Sequence, residues 1–224
     1  MSKAIKITKG LDLKLYGEPT PEVVETFVSE YALKPKDFIG LTPKLLIEEG
    51  ERVKAGTPLF YAKGKEKVLF TSPVSGVVKQ VKRGEKRVIE EVIVSADETI
   101  EYLDFGVSSI SELNAEQIKE KLLISGAWTL LRQRPYSVVP NPDTTPKCII
   151  VSGFSSAPLA PDYSILLKGL GAELQVGVDA LKKMTGVTIH VNVPSQNVRA
   201  EELSKLQNVQ INTFEGKHPC GNVS

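Results

Sequence analysis

A chain of 224 residues can bury a sizeable core and has room for two domains. Its 28 basic side chains are matched by 27 acidic ones, which argues against nucleic acid as a partner because phosphate binding needs a concentrated basic face. No apolar run approaches the roughly eighteen residues of a membrane-spanning helix and no leader is visible, so the expectation is a soluble protein or one held at a membrane through partners.

Residues 3–16 alternate weakly and break at Gly10, as an N-terminal strand running into the Pro-rich link from Gly17 to Glu22 would. Val23, Val24, Phe27 and Val28 would suit a short helix or a strand, and β-branched and aromatic residues favour a strand over Thr26–Leu33. From Glu48 to Phe60, turns at Gly50 and Gly56 bracket short apolar pairs. In the next stretch, Val68 to Val94, two β-rich runs meet at Ser72-Pro73-Val74-Ser75-Gly76. Proline removes a ladder donor there and glycine supplies a free φ, so the pair marks a bend between strands. Turn, strand and Pro-x-x-Gly in that order predict a hammerhead of hairpins, the pattern of a lipoyl- or biotinyl-type barrel sandwich. The basic cluster Lys79, Lys82, Arg83, Lys86 and Arg87 is interrupted by Glu85, Glu90 and Glu91 and reads as a solvated hairpin. One further strand is expected over Thr99–Phe105.

The period then changes. Asn114 is a plausible cap, and Ile118, Leu122 and Leu123 form a helical stripe that Gly126 interrupts. Ala127–Arg132 makes a second short helical piece, ending ahead of Arg134-Pro135. A loop rich in Pro and Asn, from Pro140 to Pro146, is the best hinge in the chain. Beyond it, Lys147–Ser152 reads as a strand buried on both faces, followed by helices over Tyr163–Leu170 and Leu174–Met184. A strand over Val187–Val193, a helix over Ala200–Leu206 and a strand over Val209–Phe214 complete an alternation that favours a parallel sheet. The expected class is α+β. It comprises a β-rich barrel-sandwich hybrid domain over 1–105, a helical connector with a Pro-rich loop over 106–145, and an α/β Rossmann-like domain over 146–224.

Four places could carry chemistry. A nucleotide site after the first α/β strand needs glycines and free amides, yet Ser152 to Pro161 offers one glycine and two prolines. Lys65 stands eight residues ahead of Pro73, the position of the modified lysine in lipoyl-type hairpins, although Gly64 precedes it where carriers have an acidic residue or Met. His190 reads as a hydrogen-bonded core residue, while His218 and Cys220 lie close together without the two further ligands of a zinc site. Cys148 and Cys220 are expected as reduced thiols, and no nucleophile–base–acid set is apparent. Lastly, Trp128, Arg132, Arg134 and Tyr136 surround a bend closed by Pro135. Aromatic faces and a guanidinium would suit a flat quinone, and they would equally suit a helix end with Trp128 packed inward and the arginines in water.

Several of these stretches match one family in order along almost the whole chain. They are Lys9-Gly10-Leu11-Asp12-Leu13, Thr71-Ser72-Pro73 with Ser75-Gly76, and Arg83 to Val88. Ser125-Gly126-Ala127-Trp128-Thr129 follows with Leu131-Arg132-Gln133-Arg134-Pro135, then Pro158-Leu159-Ala160 and Gly216 to Gly221. The chain resembles the N-terminal half of the A-subunit family of the bacterial sodium-translocating NADH:quinone oxidoreductases. Members of that family run to about twice this length, so the resemblance implies a chain shortened at its C-terminus. It implies a peripheral component on the cytoplasmic face of the inner membrane, in a six-subunit complex that passes electrons from NADH through flavins and iron–sulfur centres to quinone and exports sodium. The other subunits and quinone are the implied partners, and quinone contact would fall to Trp128, Arg134 and Tyr136. No cofactor is expected on this half itself, which would be inactive alone. More distant resemblances, to the C-subunit of the Rnf electron-transport complex and to the flavin-binding component of complex I, keep a flavin- and NADH-binding reading open. A carrier domain modified at Lys65 is the other alternative.

Overall fold

The alternation that opens the chain forms β1 (Ala4–Ile7), and its partner lies at the far end of the sequence: Ala4 pairs with Thr213 and Ile7 with Gly216, in parallel. In the computed structural model, which describes residues 4–13, 15–17, 20, 22–195 and 201–221, the chain divides into two compact units. One comprises Val24–Ser109 with Glu116–Thr144; the other takes the residues up to Val23, Ile110–Ala115 and Thr145 onwards. The first strand, expected with the barrel, therefore extends the sheet of the α/β unit.

The barrel unit is built from β2 (Glu30–Leu33), β3 (Pro43–Leu45), β4 (Arg52–Val53), β5 (Pro58–Ala62), β6 (Lys65–Thr71), β7 (Gly76–Arg83) and β8 (Ile89–Ala96). They form two antiparallel sheets, ordered β2-β8-β7-β4 and β3-β5-β6. The Ser72–Ser75 bend carries the chain from one sheet to the other, so it is the corner that makes a sandwich of two hairpins. Leu59, Phe60, Val68, Phe70, Val78, Val92 and Val94 fill the space between, each at most 1% exposed. Phe60 stacks on Phe70 with centroids 4.9 Å apart, and Phe38 meets Phe70 edge-on at 4.7 Å.

Two expected strands are shorter than the pattern suggested. β2 starts at Glu30, because β8 ends at Ala96, whose N–H already donates to Ser29 O, and offers no backbone further upstream. The run Thr99–Phe105 contributes a single bridge, Ala55 to Tyr102. Its neighbour there is the Lys54–Thr57 turn, which presents only Ala55 to donate to Glu101 O and accept from Leu103 N–H.

Helix α1 (Ala115–Ile124) buries Ile118 and Leu123, as its stripe predicts. The expected second helical piece is one 3-10 turn, Ala127–Leu130, entered through Gly126 in the left-handed region (φ 78°). A Cβ on Gly126 would lie 2.3 Å from Thr71 Oγ1, so the missing side chain lets this turn sit against β6.

The α/β unit adds β9 (Ile149–Ser152), α2 (Tyr163–Leu166), α3 (Gly171–Thr185), β10 (Ile189–Pro194), α4 (Glu201–Ser204) and β11 (Gln210–Gly216). All pairings are parallel, in the order β1-β11-β10-β9. Ile189, Val191 and Val193 on β10 pack with Val178 of α3 and with Leu203 and Leu206. β9 lies at the sheet edge and leaves Ile150 58% exposed, so the apolar run is not buried on both faces as expected. The predicted Tyr163–Leu170 helix stops at Leu166. Asp162 caps its start, accepting from Ser164 N–H at 2.9 Å, and Gly169 (φ 79°) turns the chain soon after its end. On the other face of the sheet, Asn212 (6% exposed) joins Asn192 Oδ1 at 3.1 Å and lies 3.3 Å from His190 Nδ1, so His190 is hydrogen-bonded as expected but half-buried rather than in the core.

Candidate functional site

Among the sequence-predicted positions, the corner is built most tightly. Ser72 and Ser75 are 2% and 1% exposed. Ser75 Oγ donates to Asp97 Oδ2 at 2.8 Å and accepts from Glu101 N–H at 2.9 Å, while Arg52 reaches the same Asp97 oxygen at 3.0 Å. These contacts fix the bend and engage both serine hydroxyls within it. Lys65 is exposed at the start of β6, paired with Ala62 across a turn whose tip is Lys63-Gly64. The lysine at the tip is thus Lys63, two residues earlier than the carrier spacing indicated.

The Trp128 to Tyr136 segment divides into an inner and an outer part. Trp128 is 5% exposed, and its indole Nε1–H donates to Pro140 O at 3.0 Å. Arg132 stacks over the Phe38 ring at 5.3 Å and donates to the carbonyl oxygens of Thr129 and Leu131. Both are committed to the unit's own packing. Arg134 and Tyr136 are exposed, Tyr136 at 75%, and so is Leu130 at 79%. The structure thus does not gather Trp128, Arg134 and Tyr136 around one cavity: Trp128 anchors the loop from inside while the other two face outward.

In the α/β unit, loops from the carboxyl ends of β1, β9 and β11 converge, the edge at which open parallel sheets bind ligands. Leu11 N–H donates to His218 O at 3.0 Å, His218 N–H to Asp12 Oδ1 at 3.3 Å, and Ser156 Oγ lies 3.2 Å from His218 Nδ1. The Ser156–His218 contact was invisible in the sequence, because the two residues are 62 apart and no local pattern links them. Cys220 is 1% exposed, and its burial pushes the thiol above its ordinary pKa. Gly153 has its amide engaged within the unit. Its N–H donates to Asn192 O at 2.7 Å, and a Cβ there would lie 2.5 Å from Leu203 Cδ1. Its small size serves packing. Among the described residues, no group of three or more His, Cys, Asp or Glu could hold a metal ion, and no helix is long and apolar enough to cross a membrane.

The chain thus comprises an antiparallel barrel-sandwich hybrid unit and a parallel α/β unit. Family models match both parts: an NqrA N-terminal barrel-sandwich hybrid domain over residues 5–97 and an NqrA second alpha/beta domain over 113–224. The chain belongs to the NqrA family. It is similar to the A-subunit of the Na(+)-translocating NADH-quinone reductase of Serratia proteamaculans (36% identical over 226 residues, 98% of this chain and 49% of that protein). The proteins of the same name from Yersinia pestis (34% over 224 residues, 98% and 49%) and Neisseria meningitidis serogroup B (34% over 226 residues, 97% and 49%) are also similar. The chain therefore spans about half the length of the curated relatives it matches. The first family model starts at residue 5, whereas the pairing of β1 with β11 assigns residues 4–7 to the α/β sheet.

Proposed function

We propose that this chain forms the peripheral, quinone-associated portion of a Na+-translocating NADH:quinone reductase, and that it moves no electrons itself. The observation that carries the reading is the ordered match of both NqrA domains across the chain. The engaged amide of Gly153 supports a lost nucleotide site, since a phosphate would have to displace a sheet hydrogen bond and enter space that Leu203 fills. NADH, flavins and iron–sulfur centres then reside on other members of the six-subunit assembly, and this half alone is inactive. The Arg134 guanidinium is the group to donate to a quinone carbonyl oxygen, and the Tyr136 ring the face to stack on, with Trp128 positioning the loop behind them. The chain as a whole is placed by this reading at the cytoplasmic face of the membrane, held there through the other subunits.

A photoreactive quinone analogue, applied to the complex containing the full-length protein, tests the assignment. Labelling is expected on peptides holding Arg134 and Tyr136, reduced by Arg134→Ala, with Trp128 itself unlabelled. Labelling confined to other subunits would remove these residues from the quinone site.

A further inference from the structure

The barrel unit carries a groove that neither its corner nor the Trp128 segment uses. From Gly50 to Val53 the chain follows the free edge of β7, with Gly50 N–H donating to Val78 O (2.8 Å) and Val78 N–H to Glu51 O (2.9 Å). Upstream of Gly50 it leaves β7 and joins the other sheet, where Leu46 N–H donates to Leu59 O (2.9 Å). The two sheets gape at this point. A depression of about 970 Å³ lies between Leu45–Ile47 and the pair Val81 and Arg83. A second, of about 540 Å³, also borders Leu45 and Arg83 and extends to Lys86 and Val88.

Both walls are strand edges. Thr42 and Leu46 face β5 through their hydrogen bonds, so alternation turns the amide and carbonyl of the intervening Leu45 into the groove. Across from it, Val81 N–H is held by a side chain, Glu49 Oε1 at 2.7 Å, rather than by a strand. Charge is distributed unevenly along the groove. Lys44, Lys63, Arg83, Lys86 and Arg87 border the smaller depression, while Glu48 and Glu49 line the larger. Nearby Lys34 and Lys82 share Glu91, and Lys79 has Glu30, but these five cations form no ion pair among the described residues. Glu85 and Glu90 are the closest acidic residues in sequence, and Glu90 turns its carboxylate to Gly84, 2.3 Å from where a Cβ would stand.

We propose that this groove receives an extended peptide of a partner polypeptide, which adds a strand between β3 and β7 with acidic residues at the end that meets Arg83, Lys86 and Arg87. The outward amide and carbonyl of Leu45, and a β7 edge whose Val81 N–H is held only by the Glu49 side chain that an incoming strand would displace, recognise a backbone, and the cations select the charge at one end. An anionic lipid surface would meet the same cations but would leave the Leu45 amide without a role, so the edges favour a peptide. The proposal is independent of the quinone assignment.

Selection of phage-displayed decapeptides against the 224-residue chain tests it. Enriched peptides are expected to alternate β-branched residues and to close at one end with Asp or Glu. Leu45→Pro removes an edge donor without touching the β5 ladder, and it should weaken the best synthetic peptide roughly tenfold. Arg83→Glu, on the surface, should do so by a comparable factor and keeps the test open if the proline variant misfolds. No enrichment, another sequence pattern, or affinities indifferent to Arg83→Glu would overturn the proposal. So would binding to phosphatidylglycerol vesicles that falls with Arg83→Glu and survives Leu45→Pro in a folded variant, which would assign the groove to lipid.

Discussion

Replacing Phe60 by alanine is expected to destabilise the barrel unit by about 3–5 kcal/mol, the usual cost of emptying a phenylalanine site in a closed core. Phe60 is fully buried and stacks on Phe70, which in turn takes the edge of Phe38, the ring beneath the Arg132 guanidinium. The loss therefore reaches beyond one cavity to the column of rings that ties the Trp128 turn to the sandwich. Collapse is hindered because Phe60 and Phe70 belong to the paired strands β5 and β6, which cannot shift singly. Trp128 is the only tryptophan and lies in this same unit, so its emission reports on that unit. At a urea slope of about 2 kcal/mol per molar, the midpoint should fall by roughly 2 M. A shift under about 0.5 M would mean that the rings are not the core that holds the two sheets.

Gly76→Ala should rival it from a different cause. Gly76 opens β7 at φ 153°, and a Cβ there would lie 1.8 Å from the backbone oxygen of Ser95. The obstacle is a strand rather than a flexible side chain, since Gly76 pairs with Ala96 on β8. Relief requires prising β7 from β8 at the corner that Ser75 and Asp97 pin. A loss of about 3 kcal/mol or more is expected from such backbone strain. Val77→Ala, one residue on and 36% exposed, should cost under about 1 kcal/mol and serves as the control. Equal midpoints for the two variants would show that the corner tolerates a side chain.

Features set by local chemistry were readable in the sequence, and those set by distant pairing were not. Pro73 and Gly76 announced the corner because a missing donor and a permissive φ act on the residues that carry them. Their consequence, a change of sheet, agrees with the expected sandwich. The stripe of Ile118 and Leu123 marked α1 for the same reason. β1 escaped, since nothing in Ala4–Ile7 points to a partner at Thr213–Gly216. Neither does the apolar composition of Ile149–Ser152 reveal that β9 is an edge, because strand order is a property of the whole sheet. At the candidate site, neighbours in sequence proved a poor guide to facing. Gly126 and a single 3-10 turn suffice to send Trp128 inward while Arg134 and Tyr136 remain outside. Of the two readings of that cluster, inward packing of the indole describes Trp128, and exposure leaves Arg134 and Tyr136 open to a ligand.

On the proposed reading this polypeptide acts as part of a sodium-dependent reductase rather than as a redox protein in its own right. Affinity-tagging the full-length protein in its native membrane and assaying the eluate for NADH-driven quinone reduction tests that most directly. Co-elution of a multisubunit complex whose activity rises with sodium is the expected result. Elution of the protein by itself, with its own flavin absorbance and sodium-independent NADH oxidation, would contradict it.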